Sequence, residues 1–304
     1  MSKNVDVKVE KTDYAKINPL DKVTVVDMGH LVQLRFTQIR NKKATVVTLG
    51  DNKYMVVSTG EVKEYEKFEN RADNANGVKK TMNKLRYLIN NNFRGNDNEL
   101  FLTLTYAENM QDVDKLYKDF EKFMKKLKYK YKDLSRIEYL RIAEPQGRGA
   151  WHLHVLLRFD DQKSAYIAND EVRKMWGHGF VNVRKLGNVD NVGAYLTAYL
   201  TDMEINNDNV TDFLGHKIEL IEKEVEGKTK QFVKGARLRL YPVGMNIYTA
   251  SRGIKPPQET EMYYKDAKKI VGKATPDYLS AYLINTENGY SNRVVRHEYN
   301  LKRH

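Results

Sequence analysis

Residues 144–159 read EPQGRGAWHLHVLLRF. Side chains alternate across a strand, so WHLHVLLRF (151–159) puts His152 and His154 on one face, with Leu153 and Val155 turned to the opposite layer. RIEYLRIAE (136–144) just before it also reads as a strand. The linker PQGRGA is short enough to fold the two antiparallel and bring the Glu144 carboxylate towards the imidazoles.

Further strands are read outward from this hairpin. FLTLTY (101–106) alternates, GFVNVRKL (179–186) follows on the C-terminal side, and NIYTASRG (246–253) is a fifth strand closed by Lys255-Pro256-Pro257. GVKKTMNKLRYLINNNF, from Gly77, and VDKLYKDFEKFMKKLKYKY (113–131) change to helical spacing. Asp190 is positioned as the N-cap of a helix through NVGAYLTAYLTDM. Residues 22–66 are rich in β-branched types and Gly-containing turns, so they read as a small set of strands. The first twenty residues carry charge without pattern and read as a mobile arm. Near the C-terminus, ETEMYYKDAKKIV reads as a short helix, and Thr-Glu-Asn-Gly (286–289) as the turn of a hairpin. The domain reading is 1–20 arm, 21–75 β-rich segment, 76–257 central domain and 258–304 extension.

Lys and Arg number 52 against 40 acidic residues, a formal charge of +12, which points to a polyanionic partner with nucleic acid foremost. The absence of cysteine removes disulfides and thiolate metal sites, leaving His, Asp and Glu as the strong ligands. No apolar run approaches transmembrane length and the N-terminus has no apolar targeting stretch, so the expected location is cytoplasmic, without a membrane partner.

The motif YLTAYL (195–200) lies on the expected helix, where residues four apart face the same way, so Tyr195 and Tyr199 can present both hydroxyls to one site. YLSAYL (278–283) reads as a strand, in which four residues span ~13 Å, and is taken as structural. Taken residue by residue, each chemical reading has a plain counterpart. His152 and His154 hold a divalent cation, or are neutral and satisfied by neighbours in a half-buried sheet. Glu144 is a third ligand, or a solvated strand end. Tyr195 and Tyr199 are nucleophiles, or an aromatic stripe packed on the sheet. A phenol of pKa near 10 suits attack on a phosphodiester, because the resulting phosphotyrosine link is reversible.

The order FLTLTY, EPQGRGAWHLHVLLRF, VDNVGAYLTAYL resembles the HUH endonucleases, in particular the two-tyrosine rolling-circle replication initiators of Gram-positive plasmids, integrative elements and related phages. STGEVKEYEKFENRADN, LTYAENMQDVDKLYKDFEKF, WGHGFVNVRKL and SRGIKPP extend the resemblance over most of the chain. It implies an α+β fold, a five-stranded antiparallel sheet flanked by helices (ferredoxin/RRM-like). It also implies His152, His154 and Glu144 as ligands of Mg²⁺ or Mn²⁺, and Tyr195 and Tyr199 as candidate nucleophiles. Many two-tyrosine relatives read YxxKY. This chain has Ala198 at the lysine position, and Arg184 and Lys185 are candidates to supply the missing charge.

The implied activity is nicking of single-stranded or hairpin origin DNA, leaving a 5′-phosphotyrosine and a 3′-OH that primes a host polymerase. No GxxxxGK[ST] loop occurs, so unwinding is expected to fall to a host helicase. The β-rich N-terminal segment and the basic tail SNRVVRHEYNLKRH are candidates for origin recognition. His178, between two glycines, is a further possible ligand or a turn residue. A relaxase or transposase would use the same site, whereas a non-enzymatic DNA-binding repressor would need only the basic surface.

Overall fold

The structure, a computed structural model, describes residues 7–40, 45–65, 71, 74–187, 191–200, 202–204, 220–225, 228–233, 235–286 and 289–303. The chain divides into two compact units, Met1–Lys67 with Pro257–His304, and Phe68–Pro256.

The first unit holds β1 (Val7–Lys11), β2 (Lys22–Asp27), β3 (Leu31–Thr37), β4 (Val46–Gly50), β5 (Lys53–Val56) and β6 (Val62–Glu64). The second runs through α1 (Ala75–Asn92), β7 (Glu99–Thr105), α2 (Val113–Lys130), β8 (Ile137–Pro145), β9 (Trp151–Phe159), α3 (Asn169–Trp176) and β10 (Val181–Lys185). It continues with α4 (Val192–Leu200), β11 (Met203–Glu204), β12 (Leu220–Val225), β13 (Lys228–Val233) and β14 (Tyr248–Ala250). The chain then returns to the first unit with β15 (Gln258–Tyr263), α5 (Tyr264–Val271), β16 (Tyr278–Thr286) and β17 (Ser291–Asn300).

In the first unit a six-stranded antiparallel sheet runs β1-β16-β17-β3-β2-β15, so both ends of the chain contribute to one layer. Its core joins Val23, Val25, Leu34 and Val295 to Ala267 and Val271 of α5. Three sequence readings change here. Val7–Lys11, inside the expected arm, pairs with β16. The residues ETEMY, read as helix, form most of β15 against β2, and the helix begins only at Tyr264. The tail expected to contact DNA is largely β17, held between β16 and β3, with His297 and Tyr299 buried. Its Arg293 donates to the carbonyls of Tyr14 and Lys16. YLSAYL is a strand, as read, and β16 and β17 form the expected hairpin.

The second unit is built on a five-stranded antiparallel sheet, β10-β7-β9-β8-β14, flanked by helices; the fold is α+β. All five strands coincide with strands read from the sequence. Trp151, Leu153, Val155 and Leu157 alternate onto one face and are buried. α2 covers that face, with Phe120 5.4 Å from the Tyr139 ring and Phe123 packed edge-on against Trp176 of α3. The N-terminus of α2 is capped by Asp112, whose carboxylate accepts from the amides of Asp114 and Lys115. The opposite face carries His152, His154, Leu156 and Arg158. There the Arg158 guanidinium donates 2.9 Å to the Asn92 carbonyl at the end of α1 and lies over Phe93.

α3 and the small sheet β11-β13-β12 were not read from the sequence. Among the described residues no helix is long and apolar enough to cross a membrane.

Candidate functional site

The β8–β9 register sets Glu144 opposite His152 and Ile142 opposite His154. The β7–β9 register adds Thr105 beside His152 and Thr103 beside His154. Residues paired across antiparallel strands share a face, so both histidines and Glu144 stand on the same side of the sheet. The carboxylate crosses the ladder diagonally: one Glu144 oxygen bonds His154 Nε2 and the other pairs with the Arg237 guanidinium. His152 Nε2 lies 2.5 Å from the side-chain nitrogen of Gln146. The two imidazole rings are 6.4 Å apart and nearly perpendicular, and His154 stacks on Phe101.

Burial, followed by the neighbouring His154 and Arg148, pushes the His152 pKa down to about 4. Burial, followed by the Arg184 charge, pushes His154 to the same value. Glu144 would favour a charged His154, but its own charge is already shared with Arg237, and burial prevails. Both rings are therefore neutral at pH 7, the form that donates a lone pair, and His154 Nδ1 is buried without a hydrogen-bond partner.

The sign of the pH dependence follows. An unfolded histidine titrates near 6.5, so between about 6.5 and 4 the unfolded chain binds more protons than the folded one, and stability falls as pH drops through that window. Melting curves between pH 7.5 and 4 are expected to decline less steeply for a His152→Asn, His154→Asn variant than for the parent. Parallel curves would contradict the assignment.

Among the described residues no group of three His, Asp or Glu side chains already stands arranged to hold an ion. The donor set nonetheless fits a hard or intermediate divalent cation: two neutral imidazoles and a carboxylate on one face, with Arg237 bringing positive charge to that carboxylate.

Arg237 was not anticipated from the sequence. It lies in the 3₁₀ turn Ala236–Leu240, with its side chain 13% exposed. It donates 3.1 Å to the Asp202 carbonyl, just past α4, and 3.4 Å to that of Pro145, at the end of β8. Tyr241 acts alongside it, its hydroxyl lying 3.0 Å from the Ala143 carbonyl and 3.4 Å from that of Leu200. The last turn of α4 is thus tied to the strand end that carries Glu144.

The other end of α4 is fixed by asparagines. Asn191 Oδ1 accepts 2.9 Å from the Ala194 amide, and Asn90 of α1 accepts 2.7 Å from the Gly193 amide while donating to Asn191. The cap seen is therefore Asn191; Asp190 lies outside the described residues. α4 spans Tyr195 and Tyr199 as read, with Val192, Leu196 and Leu200 in the core, and the side chains of the two tyrosines are outside what the structure describes.

A Cβ on Gly193 would sit 2.7 Å from the Arg86 carbonyl of α1. Gly193→Ala is therefore expected to lower stability by about 1–3 kcal/mol, as overpacking does, and to displace α4; an unchanged melting temperature would contradict this close approach.

Of the other residues singled out, Arg184 lies 4.7 Å from the Phe101 ring centroid, beside His154, whereas exposed Lys185 pairs at 2.8 Å with Asp97. His178 packs on Trp176 and Tyr106 with Nε2 3.5 Å from Asp119 of α2, away from Glu144 and the paired histidines.

A family model described as a replication-associated protein of the ORF2 type matches residues 99–204, about a third of the chain. No curated protein matches the chain. The stretch that carries Glu144, His152, His154, Tyr195 and Tyr199 is thus similar to replication-associated proteins, which supports a role in initiating replication.

Proposed function

We propose that the chain is a replication initiator that nicks single-stranded or hairpin origin DNA, with Tyr195 or Tyr199 as the nucleophile and Glu144, His152 and His154 as ligands of Mg²⁺ or Mn²⁺. The observation that carries this reading is the shared face of Glu144, His152 and His154, beside which Tyr241 and Arg237 anchor the tyrosine helix. When bound, such an ion polarises a phosphate oxygen. Glu144 and the neutral imidazoles hold their donor atoms on one rigid sheet face, and the α4 anchors limit how far the phenols can drift from it. In the reaction the phenolic oxygen forms a bond to phosphorus and gives up its proton, while the bond to the 3′-oxygen breaks and that oxygen leaves as a 3′-OH. Host helicase and polymerase would then extend the freed end.

The test uses single-stranded DNA tiled across the replicon that encodes the chain, incubated with the full chain and Mn²⁺. A denaturation-stable adduct that retains the label on the 3′ side of the nick is expected, alongside a free 3′-OH fragment. Metal-independent duplex binding with no adduct on any fragment would favour the repressor reading instead. Adducts on transfer-site DNA alone would favour a relaxase or transposase.

A further inference from the structure

On the face of the sheet opposite His152 and His154 lies a pocket of about 500 Å³ between α2, β8 and β14. That volume falls within the range of about 300–1,000 Å³ usual for small-ligand sites. Arg141 lines it and is only 2% exposed. Its guanidinium is stacked between aromatic rings, 4.6 Å from the Tyr117 centroid and 5.2 Å from that of Phe120. Nε and Nη2 are buried without a hydrogen-bond partner.

This is unusual company for a buried arginine in this chain. Arg158 pairs with Asp160 at 2.6 Å and Arg237 pairs with Glu144, whereas among the described residues no carboxylate pairs with Arg141. A guanidinium keeps its charge when buried, and a buried charge with idle donors is disfavoured unless an anion completes it. The pocket supplies further positive charge. Lys128 reaches over the Tyr139 ring at 5.2 Å and has no acidic partner among the described residues, while Lys125 is already paired with Glu121 at 2.7 Å. Aromatic walls with cations behind them suit a planar base joined to a phosphate.

We propose that this pocket binds a nucleoside phosphate, its phosphate drawn by Arg141 and Lys128 and its base laid against the Tyr117 and Tyr139 side of the pocket. The source is either a free nucleotide or one nucleotide of a single strand. The site does not depend on the nicking chemistry proposed above, and it carries no metal ligand.

Calorimetric titration of the full chain with dTMP in EDTA, with thymidine, inorganic phosphate and dT₈ in parallel, tests the proposal. dTMP is expected to bind at least tenfold more tightly than thymidine or phosphate. Arg141→Met should weaken dTMP at least tenfold without lowering the melting temperature, because it removes an uncompensated charge. Should that variant fail to fold, exposed Lys128→Glu keeps the question open to measurement, with a several-fold loss expected. Tighter binding of dT₈ that is lost in the same variants identifies a strand as the source; binding of dTMP with none of dT₈ identifies a free nucleotide. No binding of either at millimolar concentration, or affinity unchanged in Arg141→Met or in Lys128→Glu, would overturn it.

Discussion

Replacing Tyr195 and Tyr199 together by phenylalanine is expected to abolish the covalent DNA adduct, a loss on the order of 10³-fold or more, since removing a nucleophile removes the step itself. Each substitution deletes one oxygen and keeps the ring, so the packing of α4, which rests on Val192, Leu196 and Leu200, should be untouched. An unchanged melting temperature together with a missing adduct separates chemistry from folding. The single variants divide the labour. If the tyrosines act in turn, one single variant should still nick yet fail to transfer the strand, and the other should fail at the first cut. Wild-type adduct in the double variant would remove both residues from the mechanism, leaving the α4 anchors as a purely structural feature.

The helix on which this prediction turns was legible in the sequence, and so was the sheet. Period-two alternation in FLTLTY, RIEYLRIAE and WHLHVLLRF survives because each strand is paired on both sides and buried on at least one face, so the pattern reports packing directly. The short PQGRGA turn fixes the hairpin, which puts Glu144 opposite His152. Local pattern could not supply the diagonal contact from Glu144 to His154, because that depends on where the second carboxylate oxygen is pulled. It is pulled by Arg237, remote in sequence and sitting in a 3₁₀ turn with no periodicity to mark it. The same blindness to distant partners hid β1 and β15. Their residues are largely exposed and charged, and they become strands only because β16 and β2 offer edges to pair with. With eight residues, α3 is only about two turns long, too short for a helical repeat to stand out from the surrounding loop.

Arg237 also sets up the second large effect. His152→Ala with His154→Ala should remove both nitrogen donors, eliminating Mn²⁺ binding by titration and reducing nicking on the order of 10²–10³-fold, comparable to the loss of an electrostatic catalytic group. Arg237→Gln should separate two roles that one side chain now combines. Freed of the guanidinium, Glu144 becomes a stronger partner for a divalent cation, so Mn²⁺ affinity is expected to rise several-fold, since a competing positive charge has gone. The same change shortens the reach that ties the Asp202 carbonyl to the end of β8, loosening the last turn of α4, so adduct formation should fall even as the ion binds more tightly. A variant in which affinity and nicking rise together would mean that the anchor is dispensable. One in which affinity drops would mean that Arg237 organises the carboxylate rather than competing for it. Only opposed changes fit a guanidinium that both shields Glu144 and holds the tyrosine helix to the strand beside it.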